Sequence, residues 1–525
     1  MKVNLSLFIL SVILVSACRS EEETGQYVSD KNIYWGDLHN HCNVGYARGS
    51  LERSYDIARN HLDFFCFTPH TQWHDQPERS PFDDIGFREA FSRVKEKDWE
   101  RVVKYANDYY KPGEFVSFIG YEWHSSYFGD SHIIFPGSEG ELAYPADMNE
   151  LKLFARANNA ILIPHHPAYA DWRGQNWDYL GGTDITPVVE VFSTHGNAER
   201  DRSPSPYRRH SMGGRYTRNT LQHLWSTGSQ VGIVAGTDSH LGHPGAYGKG
   251  LTAVLADTLT RESVMEAIRA RRTYGVSADR IELDFRLNGH YMGESIPFTG
   301  SRNIYVRVKG KDEIDRVEIL RNNKVIYRDF PVDRTNDDTG WDNPVLCRIE
   351  YGWGPWSWLG EPRIADWNFD VNVKNGQILS ATPCFQSGPF DEDRRNRITF
   401  ADSANCRFQS HTSRKDAFED YATNSIILEI QGTPKTELLL SLTEPSGIDH
   451  NITLGELAES NDIFFTGEVT SESVLIHRLV FSDNYTAEIE INDKAETGDT
   501  DWYYVRVIQS NGSLAWSSPI WVNKQ

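Results

Sequence analysis

Residues 36–41 read Gly36-Asp37-Leu38-His39-Asn40-His41, GDLHNH, directly after the apolar pair Tyr34-Trp35. On a β-strand, residues i and i+2 point to the same face. His39 and His41 at the end of a short β-like run therefore present two imidazoles side by side, an arrangement that chelates a metal ion. Taken alone, the pair fits two half-exposed histidines on a sheet equally well. What the other strand ends carry decides between the two.

Five further apolar runs lead into nitrogen or oxygen ligands. Phe64–Thr68 runs into Pro69-His70, Phe118–Tyr121 into Glu122, and Ile161–Pro164 into His165-His166. Val189–Phe192 runs into Ser193-Thr194-His195, and Gly232–Ala235 into Gly236-Thr237-Asp238-Ser239-His240. A lone histidine after a strand is ordinarily a hydrogen-bonded core residue, but five such ends together with His39 and His41 point to metal. The sum is about nine ligands, more than one zinc needs. It suits two or three divalent ions sharing carboxylate bridges.

These runs alternate with helical patterns over 87–110, 148–158, 219–227 and 261–271, which predicts parallel βα units from about 32 to 280. That length favours a closed or nearly closed α/β barrel, whose site lies where the strands end. From 281 to 525 short strands separated by turn residues predict a mostly antiparallel β-sandwich, read as a support for the barrel. Residues 333–407, rich in Trp, Pro, Gly and Asp, read as a long irregular insertion. Trp353, Trp356, Trp358 and Trp367 within it offer sugar-stacking faces, with core packing the preferred reading.

The chain has 525 residues, is 39% hydrophobic and carries a net charge of −21. It is long enough for two or three domains, and its acidity argues against non-specific binding to nucleic acid or anionic lipid. Lys2 and the apolar run Leu5–Val15 form a signal-peptide pattern over 1–17, too short to span a bilayer. Val15-Ser16-Ala17-Cys18 resembles a bacterial lipobox, so Cys18 is the expected lipidation site and 18–31 a polar tether. The expected location is the envelope of a Gram-negative-type bacterium, on either side of the outer membrane. Of the remaining cysteines, Cys42 and Cys66 read as core residues, while Cys347, Cys384 and Cys406 could supply one disulfide.

GDLHNH, Thr68-Pro69-His70, Gly120-Tyr121-Glu122, Pro164-His165-His166-Pro167 and Gly236-Thr237-Asp238-Ser239-His240 occur in an order that resembles the polymerase-and-histidinol-phosphatase (PHP) superfamily. Gly120-Tyr121-Glu122-Trp123, Phe192-Ser193-Thr194-His195-Gly196, Arg271-Arg272-Thr273-Tyr274 and Ala515-Trp516-Ser517-Ser518-Pro519 resemble one large bacterial branch of it, known only as a domain of unknown function. The resemblance implies a distorted (β/α)7 barrel, one to three ions of Zn, Mn or Fe, and mostly phosphate-ester hydrolysis. It implies His39, His41, His70, Glu122, His195, Asp238 and His240 as ligands, with His166 preferred over His165. His132 resembles a histidine common in the branch that ligates metal or touches substrate. Two departures stand out: Cys42–Ala47 lacks the Asp usual after the His-x-His pair, and Thr-Pro-His replaces Thr-Asp-His.

For proton transfer to a leaving oxygen, His124, His132 and Asp130 are the candidates. Arg200, Arg202, Arg208 and Arg209 follow His195 on a segment that should overhang the site, and Arg48 lies on the first loop. Guanidinium groups match phosphate, sulfate or carboxylate, although these arginines equally suit a solvated loop paired with surface acids. The leading expectation is a metal-dependent phosphoesterase of the envelope acting on an anionic substrate. The alternatives are a sulfate or carboxylate esterase or a lyase acting on glycans, and a non-catalytic ligand-binding lipoprotein.

Overall fold

The computed structural model describes residues 30–73, 91–208, 212–335, 338–354, 364–386, 388, 391–413, 422–494 and 500–524. The expected signal segment, Cys18, Arg209, Trp356 and Trp358 lie outside the described residues.

The α/β part contains strands β1 (Asn32–Asp37), β2 (Phe64–Phe67), β3 (His70–Trp73), β4 (Val116–His124), β5 (Ser131–Phe135) and β6 (Ile161–Pro164). These are followed by β7 (Val188–Ser193), β8 (Gly196–Asn197), β9 (Gly232–Ala235), β10 (Leu251–Ala256) and β11 (Thr273–Val276). Helices Leu51–His61, Met148–Ala157, Leu221–Ser226 and Arg261–Arg269 start on Ser50, Asp147, Thr220 and Thr260, whose side chains accept first-turn backbone N–H groups. Trp99–Tyr109 supplies the remaining long helix. Both β2 and β4 are buried at every residue, which is why they read as continuous apolar runs rather than alternating ones.

One sheet runs β11-β10-β1-β2-β4-β5-β6 and a smaller one β8-β7-β9. Parallel pairing joins β1 to β2, β2 to β4 and β7 to β9. The expected succession of parallel βα units is broken by β5 and β10, which pair antiparallel. Residues 125–130 between β4 and β5 are too few for the crossover that a parallel pair requires. Among the described residues no backbone ladder joins the two sheets into a closed barrel. They adjoin instead through an isolated parallel bridge between Asn40 and Ser239 and through side chains: Thr273 Oγ1 donates to Ile233 O at 2.7 Å and Thr252 Oγ1 to Ala235 O at 2.5 Å.

The change of pattern at 280 does not interrupt the main sheet. Tyr274, Gly275 and Val276 on β11 pair with Ser517, Trp516 and Ala515, and strands Asp501–Gln509 and Ile314–Arg321 extend the sheet further. An antiparallel sheet of His290–Tyr291, Glu282–Leu287, Ser301–Lys309 and Thr486–Lys494 packs on this extension. Leu283, Phe285, Ile304 and Val306 share one core with Val317, Ile319, Val505 and Val507, and with Phe65 and Tyr121 of the α/β part. Lys31–Gln525 accordingly form one compact unit.

A second sandwich is inserted between Asp329 and Thr486. Two five-stranded antiparallel sheets enclose Cys347, Trp367, Phe369, Phe408, Leu428 and Leu440. The expectation of an irregular insertion over 333–407 is overturned, since Val345–Gly352, Ile364–Lys374, Gln377–Cys384, Arg397–Ala401 and Asn405–Ser413 are strands. In Ile364–Lys374 every second residue is buried, from Ala365 to Val373. The intervening Asp and Asn are poor strand formers, and they hid the alternation. Trp367 is buried and stacks on Phe369 at 5.6 Å, whereas Trp353 is partly exposed.

All five described cysteines are buried free thiols. The disulfide that Cys347, Cys384 and Cys406 could supply is not formed. Cys347 and Cys406 lie within the sandwich core, while Cys384 lies on the other face of its sheet with Leu346 and Tyr485. Among the described residues no helix is long and apolar enough to cross a membrane.

Candidate metal centre

Asp37 closes β1 and organises the site without facing it. Its buried carboxylate accepts from His39 N (3.1 Å), Thr237 N (3.0 Å), Thr237 Oγ1 (2.6 Å) and Gly245 N (3.0 Å). The loop after β9 is thereby drawn onto the end of β1, where Asp238 N donates to His39 O and His41 N to Ser239 O. Pairing of β3 with β4 sets His70 opposite Glu122, and pairing of β4 with β5 sets His132 opposite the same Glu122. Glu122 and His124, two residues apart on β4, share a face.

The side chains converge. Asp238 Oδ1 lies 3.2 Å from both His39 Nε2 and His41 Nε2, and 3.4 Å from His240 Nδ1. Its Oδ2 lies 2.9 Å from His195 Nε2. Glu122 Oε2 lies 3.3 Å from His41 Nε2 and 3.3 Å from His70 Nδ1. Its Oε1 lies 3.2 Å from His165 Nε2 and 3.4 Å from His124 Nδ1. His70 bridges His124 and His240 at 2.9 and 3.0 Å. His166 Nε2 approaches Asp130 Oδ2 at 3.7 Å, and Asp130 Oδ1 accepts from Ser125 N at 2.9 Å.

Ligand atoms within 4.8 Å of one another form overlapping groups: His39, Glu122, His132 and His165; His41, His70 and His240; His39, His41 and Asp238; His70, Glu122 and His124; Glu122, Asp130 and His166. Seven of the eight ligand residues expected from the sequence fall in these groups, and His195 adjoins them through Asp238. His132, His124 and Asp130, expected as proton-transfer groups, lie among them rather than beside them. His165 contributes a nitrogen to the first group and His166 to the last, so the pair is used together.

Electrostatics sort these groups by charge. Burial alone would depress His39, but the Asp238 and Glu190 carboxylates overcome it and hold the imidazole well above its ordinary value. Burial, reinforced by neighbouring imidazoles, holds His41, His70, His132 and His165 well below theirs, and His166 at about 3. Neutral imidazole is the form that ligates a metal. Burial raises Glu122, whereas His39 and His195 reverse the same burial effect at Asp238 and hold its carboxyl well below the usual range.

The chemistry of the donor set fits divalent cations. His39 Nε2, both nitrogens of His41 and His165, Glu122 Oε2, His132 Nε2 and His166 Nδ1 are buried without a hydrogen-bond partner. Leaving such an atom unsatisfied costs about 1–3 kcal/mol, and a shared cation relieves several at once. Asp238 and His166 also hold left-handed backbone, at φ +49° and +31°. Conformations of this kind persist where the surroundings impose them, commonly at functional sites.

Several neighbours of the ligands had no expected role. Glu190, the one charged residue in the apolar run Val188–Phe192, lies 2.6 Å from His39 Nδ1. Tyr169 Oη lies 2.7 Å from His195 Nδ1. Tyr46, in the stretch that lacks the usual Asp, stacks on His70 at 4.1 Å and places its hydroxyl 3.1 Å from His240 Nε2. The charge inside an apolar strand was a usable signal for Glu190; the two tyrosines offered none.

Of the expected anion-binding arginines, Arg208 donates its backbone N–H to His195 O and Arg48 to His240 O, both at 2.9 Å, so each is tied to a ligand-bearing loop. Arg200 is half-buried and Arg202 exposed. Arg215 straps the loop by donating to the carbonyls of Arg200 and Ser205 at 2.9 and 3.0 Å. The base of the loop is pinned to the first sandwich. Buried Glu199 pairs with Arg506, which also pairs with Glu318, while Tyr504 Oη and Trp516 Nε1 donate to Glu199 at 2.8 and 3.0 Å.

Residues 67–141 match the family model described as a protein of unknown function, DUF3604. An uncharacterized protein of Chlamydia pneumoniae is 24% identical over 341 residues, covering 60% of this chain and 52% of that protein. An uncharacterized protein of Chlamydia trachomatis is 27% identical, covering 36% of this chain and 34% of its own. The chain thus spans about half the length, or less, of these curated relatives. Among solved structures, a Bacteroides vulgatus protein described as a two-domain protein containing a predicted PHP-like metal-dependent phosphoesterase is 10% identical, with a TM-score of 0.30, covering 81% of this chain and 96% of that one. PsfC of Pseudomonas syringae is 13% identical, with a TM-score of 0.29, covering 46% of this chain and 91% of its own.

Proposed function

We propose that this chain is a metal-dependent hydrolase, acting on phosphate esters at the cell envelope. The observation that carries the reading is the convergence of buried imidazoles and carboxylates into overlapping groups, each with its ligand atoms within 4.8 Å of one another, several of those atoms lacking a hydrogen-bond partner. His39, His41, His70, Glu122, His132, His165, His166, His195, Asp238 and His240 would hold one to three ions of Zn, Mn or Fe. Such ions bring water toward deprotonation at neutral pH and neutralise charge on a phosphoryl group.

The chain's own residues have separate tasks. Glu122 belongs to three of the groups and Asp238 to one, and both carboxylates would help to hold the ions. Asp130, grouped with Glu122 and His166 and 3.4 Å from His124 Nδ1, would pass a proton to a leaving oxygen. Arg208 and Arg48, tied to the loops of His195 and His240, orient an anionic substrate. Strands β4 and β7 are buried at every residue, which limits water around them and strengthens their electrostatic contacts. The order of the sequence motifs supports assigning the α/β part to a PHP-type barrel. The N-terminal lipobox-like stretch supports anchoring through Cys18.

The test is turnover of a generic aryl phosphate by the full chain. Activity should vanish on chelation and return with Mn or Zn, while aryl sulfates and carboxylate esters remain slower. Freshly purified protein that contains no metal, and that stays inactive with every metal added, would falsify the proposal. Preferential turnover of a sulfate or carboxylate ester would move the reading to another ester class.

A further inference from the structure

Glu190 sits on β7, inside a strand buried at every residue, and is itself 2% exposed. A carboxylate there, away from water, needs a purpose. Both of its oxygens are engaged. Oε2 lies 2.6 Å from His39 Nδ1, and Oε1 accepts the backbone N–H of His166 at 3.0 Å. The groups it touches belong to the ends of β1 and β6, two strands that are not neighbours in the sheet.

We infer that Glu190 is the positioning residue of the metal centre, fixing which nitrogen of His39 faces the ions and seating the backbone turn that presents His165 and His166. This inference rests on the metal centre of the proposed function. A carboxylate only accepts hydrogen bonds, so a ring nitrogen 2.6 Å from it must carry the proton. With Nδ1 committed to Glu190, Nε2 is the nitrogen that can give up its proton and offer a lone pair to an ion. That atom points inward, 3.2 Å from Asp238 Oδ1 and 4.0 Å from Glu122 Oε2, and it has no hydrogen-bond partner. The carboxylate also raises the basicity of the ligand.

The second arm acts on geometry. His166 holds φ +31°, a left-handed conformation that a β-carbon disfavours. The bond from its N–H to Glu190 offsets that cost. The turn brings consecutive imidazoles, which an extended chain would send to opposite faces, within 4.3 Å of each other. One side chain thus governs His39 directly and His165 and His166 through the backbone.

Zinc is the probe, with the full chain and Glu190→Gln compared in competition with a chromophoric chelator. Loss of the carboxylate should weaken zinc binding by about 10–100-fold. In ¹⁵N-histidine spectra the His39 ring, assigned by comparison with His39→Gln, should be protonated at Nδ1 in the parent and should lose that fixed pattern in Glu190→Gln. Unchanged zinc affinity with an unchanged His39 ring would overturn the inference. Should Glu190→Gln fail to fold, the parent spectrum decides, because an unprotonated His39 Nδ1 refutes it equally. Neither readout involves ester turnover. A protein that binds zinc through an ordered His39 but hydrolyses nothing sinks the hydrolase reading and leaves Glu190 in its role.

Discussion

Acid should unfold the metal-free protein, and the magnitude follows from the buried imidazoles. His41, His70, His132, His165, His166 and His240 in the metal centre, and His61 and His243 elsewhere, are each held below the ordinary histidine value, His61 and His166 at about 3. The unfolded chain takes up protons on all eight near pH 6.5, while the folded chain refuses them. The unfolded state therefore binds more protons in this window, and stability falls as pH falls. His39 adds no slope here. Its folded value is raised, so its contribution is complete below about pH 6.5 and is lost only as pH rises. Asp238 has a depressed folded value, and its contribution is lost only at acidities below the ordinary carboxylate range. Glu122, Asp37, Asp63 and Asp312 oppose the trend, since raised folded values let the folded state hold protons that the unfolded chain lacks. Eight histidines set an upper bound of about 11 kcal/mol per pH unit between about pH 6 and 5, which these carboxylates reduce. Against a total stability of about 5–15 kcal/mol, one or two pH units suffice to unfold the chelated protein. Urea denaturation in chelator at pH 7, 6 and 5 measures this. Saturating Mn or Zn should shift the collapse to lower pH, because protons must then displace the metal. Equal unfolding free energy at pH 7 and 5 without metal would refute the reasoning.

Other perturbations separate the parts of the site. Asp238→Ala removes the carboxylate nearest to four imidazoles and should lower aryl phosphate turnover at least ~100-fold, together with a lower metal content by elemental analysis. Arg208→Ala should raise KM for an anionic ester about tenfold and leave kcat nearly unchanged; an equal fall in kcat would place Arg208 in the chemical step. Arg506→Met leaves Glu199 and Glu318 buried without their cation and should cost about 3–5 kcal/mol in denaturation experiments. Replacing all three together with Gln, Met and Gln should recover most of that loss, and no recovery would mean that the arginine packs rather than pairs.

The strand ends were legible because burial on both faces makes a strand a continuous apolar run, and a charged or imidazole residue at its end then stands out. Phe64–Phe67, Ile161–Pro164 and Gly232–Ala235 each lie within a residue of where the pattern placed them. Strand Ser131–Phe135 was not read, although its central Ile133-Ile134 is apolar. It follows β4 through a short hairpin, and alternating βα periodicity makes no provision for an antiparallel intruder. The second sandwich was obscured by composition, since the polar face of Ile364–Lys374 is built of Asp and Asn. In both places the missing information was pairing, which is fixed by partners far away in the chain.

The same distinction divides the site. Which residues ligate is a property of residue type at a strand end, and it survives in one dimension. How they are oriented is not. The resemblance favoured His166 over His165, and in an extended chain consecutive residues would face opposite ways. The positive φ of His166 departs from that geometry and lets both contribute, and the φ is maintained by Glu190, 24 residues further along. Glu190 meets His39 across 151 residues. A ligand set can thus be read from local pattern, whereas the residues that make it a rigid cage belong to tertiary pairing and become visible only when the strands are assembled. Variants of the ligands should therefore remove metal outright, while variants of Glu190 should leave every ligand present and weaken the site through misorientation.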